Sequence, residues 1–389
     1  MLSASPEVPV NKDVLKWARE TSGWTLEQVA KKLKVVPKLV KEWESGTSRP
    51  RLTHLRLLAE KFRRPLAVLL LPAPPPAAPL PTDFRVLVGA SADLRPKTRL
   101  AIRRASRLRS VARDLGRELG REWKSNPSLA EITQNPEAIA VRERAFLAVN
   151  IEQQLGWPTA QVALQAWRSA IEAAGILVFQ FPMPIENARG FSLSDSEPFA
   201  ITVNASDAVH ARVFTLFHEY GHLLLRQPGI CLPSEDRAAR GPRSRVEAWC
   251  NRFAGALLMP QSALDAVIEQ FGTRAIEDRL TDFLELASRQ LKVSRQAILR
   301  RLRELRLVRP ELYHPALADL LLEEQRAKPR GRAVPPGKRC LRQHGRLFTS
   351  LVLEARERNL IPYADVADYL SLRLRYLEDV QSALSALGA

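Results

Sequence analysis

His218 and His222 stand four residues apart, and Glu219 follows the first of them, in the stretch TLFHEYGHLLL from Thr215 to Leu225. On a helix, residues i and i+4 share a face one turn apart, so both imidazoles can reach a single ion. Glu219 projects to one side of that pair. A carboxylate there can take a proton from an attacking water without being a ligand itself. The plainer reading is a pair of core histidines on an apolar helix. Burying two imidazoles and a carboxylate is costly without a partner, however, and a metal provides one. Gly221 adds to the case. Glycine inside a helix costs about 1 kcal/mol against alanine, which a close approach of backbone or substrate would explain.

Two histidines need a third ligand. The segment RVEAWCNRFAGALLMP, residues 245–260, has helical periodicity, with Val246, Trp249, Phe253, Ala256 and Leu257 on one face. Glu247 follows His222 by 25 residues, enough for a turn and a second helix that packs back on the first. Asn251, one turn on, can steady that carboxylate or a neighbouring group. Two histidines and a glutamate with an open fourth position form a catalytic zinc set. His210, Glu235 and Asp236 compete for the third place. His210 lies two turns before His218 and roughly 80° round the helix. Glu235 and Asp236 fall in a polar loop. Cys250 reads as a small packed hydrophobe.

The elements that must position these residues alternate in kind. From Arg99 to Trp123 apolar residues recur at helical spacing, beside a stripe of Arg109, Arg113, Arg117 and Arg121. Asp114, Glu118 and Glu122 stand one residue further on, so the stripe reads as a solvated face with local ion pairs, or alternatively as a track for phosphates. Residues 159–175 are again helical. ILVFQFP (176–182), RGFSLS (189–194) and PFAITVN (198–204) read as three short strands. NASD (204–207) offers N-caps for the helix that runs through Leu225. The fold class is α+β, mostly α-helical, with a small three-stranded sheet.

The chain has 389 residues and a formal charge of +17, from 59 Lys and Arg against 42 Asp and Glu. Such a basic excess points first to nucleic acid. No apolar run reaches the roughly 18 residues needed to span a bilayer, and the start lacks the pattern of a secretory signal. Cys231, Cys250 and Cys340 form no CxxC pair and suggest a reducing, cytoplasmic setting. Two proline-rich stretches, LPAPPPAAPLP (71–81) and AKPRGRAVPPGKR (327–339), divide the chain. The expected organisation is an N-terminal five-helix unit at 1–71, a linker at 72–84, and a catalytic region at 85–310. A second linker region at 311–339 and a helical tail at 340–389 follow.

RVFTLFHEYGHLLL, followed by EAWCNRFAGALLMP and preceded by RGFSLSDSEPFAITVN, resembles the ImmA/IrrE metallopeptidase family over about residues 150–310. H-E-x-x-H is itself a pattern of zinc peptidases. The resemblance implies that His218, His222 and Glu247 are ligands for zinc, with manganese as an alternative, and that Glu219 is the general base. It also implies a small sheet above the active helix. The edge of that sheet, at Arg189, Gly190, Phe191 and Ser192, would take an extended substrate by strand addition.

Residues 14–71 resemble the Xre, lambda-repressor-like, helix-turn-helix family. Thr25 caps LEQVAKKL, Lys34 to Val36 make the turn, and PKLVKEWESG is the second helix, from Pro37 to Gly46. The resemblance implies that Lys38 and Lys41 face the DNA groove, with Lys34 and Arg49 near phosphates. Leu26 stands where the family usually has a phosphate-contacting glutamine, and Val36 where it has a Ser or Thr cap. Residues 284–308 form a similar helix pair with Ser294 as N-cap, fit for packing or for DNA. Residues 346–380 read only as helical.

Together these readings describe a cytoplasmic zinc endopeptidase joined to a DNA-binding unit. By resemblance its substrate is an Xre-type repressor, and cleavage derepresses stress-response or mobile-element genes. Two rivals stand beside it. One is a non-catalytic DNA-binding regulator with a structural metal site. The other is a regulator that cuts its own linker near residues 71–81.

Overall fold

The computed structural model describes residues 5–75, 94–123, 127–227, 230–231, 242–272, 275–326 and 334–386. It divides into two compact units, Met1–Arg104 and Ala105–Ala389. Glu235 and Asp236, most of the expected 72–84 linker, and residues 327–333 lie outside the described residues. No helix among them is long and apolar enough to cross a membrane.

The first unit contains α1 (Lys12–Thr21), α2 (Leu26–Leu33), α3 (Pro37–Ser45), α4 (Leu52–Phe62), the short α5 (Leu66–Leu69) and the start of α6 (Pro96–Glu118). Thr25 and Gln28 form a reciprocal capping box that starts α2. Lys34 ends α2 in the left-handed region, at φ 58°, and the chain turns directly into Pro37. Gly46, at φ 81°, ends α3. Val36 gives α3 no side-chain cap and is 64% exposed. A core of Leu15, Val29, Val40, Trp43, Leu55 and Phe62 closes the unit. Arg19 adds a two-pronged ion pair to Glu44, at 2.7 and 2.8 Å, which ties α1 to α3. The expected boundary near residue 71 needs correction. Arg103 donates to the carbonyls of Phe62 and Arg63, so the first turns of α6 pack with this unit.

The second unit continues with α7 (Pro136–Phe146), α8 (Ile151–Gly156), α9 (Ala160–Ala173), β1 (Leu177–Phe181), β2 (Gly190–Leu193), β3 (Ala200–Asn204) and α10 (Val209–Leu224). Then come β4 (Ile230–Cys231), α11 (Pro242–Leu258), α12 (Gln261–Phe271), α13 (Ala275–Asp278), α14 (Leu280–Leu291), α15 (Arg295–Glu304), α16 (Pro310–Arg326), α17 (Pro336–Glu357), α18 (Tyr363–Tyr369) and α19 (Leu377–Ser385). The three expected strands are present. β4, two residues long, adds a fourth, and the order is β1-β3-β2-β4. β1 runs parallel to β3, and β2 runs antiparallel to both β3 and β4. β1, β2 and β3 are buried throughout because helices cover them: α10 lies on β2 and β3, while α9 and α17 lie on β1.

Several expectations change here. Arg109 and Arg113 are neither a solvated face nor a phosphate track, while Arg121 stays exposed. Arg109 is 6% exposed and grips Asp195 with both Nη atoms. Arg113 donates to Glu197 O at 2.7 Å and Ser196 Oγ at 2.8 Å, and Arg121 pairs with Glu354. Periodicity shows a stripe of charge, but not what docks on it. Arg117 alone of the four keeps a local surface pair, with Asp114. Asn204 does not cap α10; its amide ties the loop at Met183 and Ala188. Residues 310–326 are helix rather than linker, and α16 packs on α15. The helical tail is part of the unit: Phe348 on α17 meets Phe179 of β1 edge-on at 5.8 Å. Ser294 caps α15 as expected, and the buried Ala297, Ile298, Leu299 and Leu302 hold that helix in the core.

Candidate metal centre

α10 carries His218 and His222 on one face, and α11 packs along that face. Gly221 is what lets it come close. A Cβ at residue 221 would stand 3.2 Å from Phe253 Cδ1, 3.3 Å from Cys250 Sγ and 3.4 Å from Cys250 Cα. The helix-breaking residue is therefore explained by backbone approach. Glu247 then reaches the pair. His218 Nε2 lies 3.1 Å from Glu247 Oε2, and His222 Nε2 lies 3.4 Å from Oε1. The two Nε2 atoms are 3.2 Å apart. All three side chains are buried, and one ligand atom from each falls within 4.8 Å of the others.

Their protonation fits a cation. Asn251 Oδ1 lies 2.9 Å from His218 Nδ1; a ring proton on Nδ1 donates to it and leaves Nε2 a lone pair for an ion. Burial opposes charge on Glu247, but when the imidazoles are protonated at Nε2 their hydrogen bonds and charges outweigh it and hold the carboxyl below its usual range; an ion would take the place of those protons. Two imidazole nitrogens and a carboxylate thus point at one another in a buried space. A divalent ion satisfies all three. His222 Nδ1 is buried with no hydrogen-bond partner among the described residues, so His218 is the better anchored imidazole.

Glu219 is fully buried beside this cluster. Burial pushes its carboxyl up; the imidazoles and the Ser192 hydroxyl pull it back, while the charge of Glu247 adds to the rise. Gly190 sits directly over this part of α10. A Cβ there would meet Thr215 Cγ2 at 2.5 Å, Thr202 O at 3.0 Å and Glu219 Cγ at 3.3 Å. Tyr220, between Glu219 and Gly221, donates to Glu143 Oε2 at 2.6 Å and so ties α10 to α7. Nothing in the sequence marks Glu143 as that anchor. Of the competing ligands, His210 stays outside the cluster; burial and the charge of Lys292 lower its pKa. Cys250 is buried, as a small hydrophobe would be.

The expected substrate edge needs correction. β2 is an inner strand: Gly190 and Phe191 pair with β3 on one side and with Cys231 and Ile230 of β4 on the other. Ser192 is turned into the interior, and Arg189 is held by Asp207 at 3.0 Å. A two-residue strand that begins 41 residues after Arg189 has no periodicity by which to be read in advance. In the other unit, Lys34, Lys38, Lys41 and Arg49 are all exposed, and only a loose 4.0 Å contact links Lys38 to Glu42.

Residues 171–303 match the family model of the IrrE N-terminal-like domain of peptidase family M78, and residues 15–69 match a helix-turn-helix model. Over 80 residues the chain is 34% identical to the radiation response metalloprotease IrrE of Deinococcus radiodurans. That alignment covers 20% of this chain and 24% of the relative, so the chain spans about a quarter of that protein's length. The chain therefore joins a region similar to helix-turn-helix proteins to one similar to the IrrE N-terminal-like domain.

Proposed function

We propose that this protein is a metal-dependent endopeptidase that cleaves an Xre-type repressor and is tethered to DNA by its N-terminal unit. The observation that carries the reading is the convergence of His218, His222 and Glu247 beside the buried Glu219. The three would hold zinc, or manganese in its place. Such an ion supplies Lewis acidity toward the peptide carbonyl and the attacking water. Glu219 takes the water's proton and returns it to the leaving amine. Asn251 fixes the ring of His218, Tyr220 fixes the helix, and the burial of the cluster keeps bulk water out. On the DNA-binding side, Lys38 and Lys41 face the groove, with Lys34 and Arg49 at phosphates.

The test is metal analysis of the wild type and of Glu219→Gln, with each co-expressed with an Xre-type repressor in the cytoplasm. Both proteins hold metal, and only the wild type shortens the repressor. Equal persistence of the repressor in both strains sinks the assignment. A purified wild type that shortens itself near residues 71–81, leaving the repressor whole, would instead favour self-processing.

A further inference from the structure

The turn that leads into α3 sends two neighbouring valines in opposite directions. Lys34 ends α2 in the left-handed region, at φ 58°, and the N–H of Val35 returns to the carbonyl of Ala30 at 3.0 Å. That reversal packs Val35 against the core of the first unit. Val36 follows with extended backbone, at φ −78° and ψ 144°, and its carbonyl accepts from the N–H of Leu39 at 3.0 Å. Its side chain is left facing out, 64% exposed. No other large apolar side chain described in this unit is so exposed.

Val36 is also the N-cap of α3, and it gives the helix no side-chain hydrogen bond. Ser, Thr, Asn and Asp are favoured there because their side chains satisfy the first free N–H groups. A valine forgoes that cap and, being exposed, gains nothing from the core. A scattered surface valine needs no explanation, but one that displaces a cap at the start of this helix does. Its surroundings indicate what it meets. Lys31, Lys32, Lys34, Lys38 and Lys41 are all exposed, and no acidic residue lies between Gln28 and Lys41 in the chain. Glu42 makes only a loose contact with Lys38, at 4.0 Å, and Glu44 is held by Arg19. An apolar point among exposed ammonium groups fits a polyanion that itself carries an apolar group. Duplex DNA presents one in its major groove, the 5-methyl of thymine. When the second helix of a helix-turn-helix enters that groove, its N-terminal residues meet the base edges.

We propose that Val36 reads the 5-methyl group of a thymine in the major groove, beside Lys38 and Lys41 in the groove and Lys34 at a phosphate. This rests on the reading that the N-terminal unit binds DNA, and it names a base which that unit selects. A valine side chain has neither donor nor acceptor. It therefore distinguishes thymine from uracil, which differ by that methyl alone.

The test begins with selection of a duplex site from a random library by the full-length protein. Each thymine of the selected site is then replaced in turn by deoxyuridine, and binding is read by fluorescence anisotropy. At least one thymine is expected to lose about fourfold in affinity with its methyl, the worth of one buried methyl group. Val36→Ser supplies a favoured cap and so keeps the fold, which circular dichroism checks. This variant is expected to bind the thymine and uracil duplexes equally, with the salt dependence of the wild type. The inference is overturned, and the DNA tether stands, if the protein binds duplexes but selection yields no preferred site. The same holds if no thymine responds to loss of its methyl, or if Val36→Ser keeps the wild-type preference. Absence of any salt-dependent duplex binding would overturn the tether and the inference with it.

Discussion

Asn251 stands one turn beyond Glu247 on α11, and its Oδ1 lies 2.9 Å from Nδ1 of His218 on α10. One helix thus supplies both the carboxylate of the cluster and the group that sets the tautomer of a histidine on the other. Removing the acceptor frees the ring to rotate and to place its proton on Nε2. Asn251→Ala is expected to weaken metal affinity by about 10–100-fold. Asn251→Asp, which still accepts the proton, keeps most of it. Competition against a calibrated chelator reads both values, and an unchanged affinity in Asn251→Ala would refute the role.

Gly190 presents a different constraint, in which the strand must lie almost on the helix. Gly190→Ala drives a Cβ into Thr215 Cγ2 and toward Thr202 O and Glu219 Cγ. The expected loss is about 1–3 kcal/mol, the usual range for overpacking. Thr215→Ser removes the closest of these atoms. The double variant should therefore recover part of the loss, in a cycle of denaturant midpoints. Simple additivity of the two changes would mean that this contact is not the source of strain.

The burial of Glu219 makes a prediction about pH. Its carboxyl is raised in the folded chain, chiefly by burial. A raised acid contributes stability below its unfolded value, near 4.3, and loses that contribution as pH rises through the folded value. At neutral pH the metal-free wild type therefore bears a cost that glutamine does not. Chelator-treated Glu219→Gln should be the more stable protein at pH 7. The advantage should shrink as the pH falls toward the ordinary carboxyl range. Urea unfolding at the two pH values checks it, and an advantage that grows on acidification would contradict the assignment.

Arg109 and Arg117 belong to one stripe of α6 but should behave differently. Arg109 is buried against Asp195, whereas Arg117 and Asp114 are mostly exposed at 3.8 Å. Arg109→Ala leaves a partly buried carboxylate without its partner and should cost about 2–4 kcal/mol. Arg117→Ala should change stability by less than about 0.5 kcal/mol, an effect that salt removes. Thermal melts at low and high salt separate the two. Equal losses would return the stripe to a solvated face.

Local chemistry alone sets some of this protein's features. Spacing placed His218, Glu219 and His222 on one helix face and Glu247 with Asn251 on another. Alternation and turn residues located β1, β2 and β3, and caps located the helices of the N-terminal unit. Tertiary structure decided whatever needed a partner distant in the chain. That Gly221 accommodates Cys250, and Gly190 accommodates Thr215, depends on packing between separate elements. The arginine stripe of α6 found Asp195, Ser196 and Glu354 far along the chain, and β4 closed an edge that sequence left open. The C-terminal helices joined the core because β1 offers them an aromatic surface at Phe179. Periodicity reports which face of an element is apolar or charged; only the folded chain selects the neighbour that face will meet.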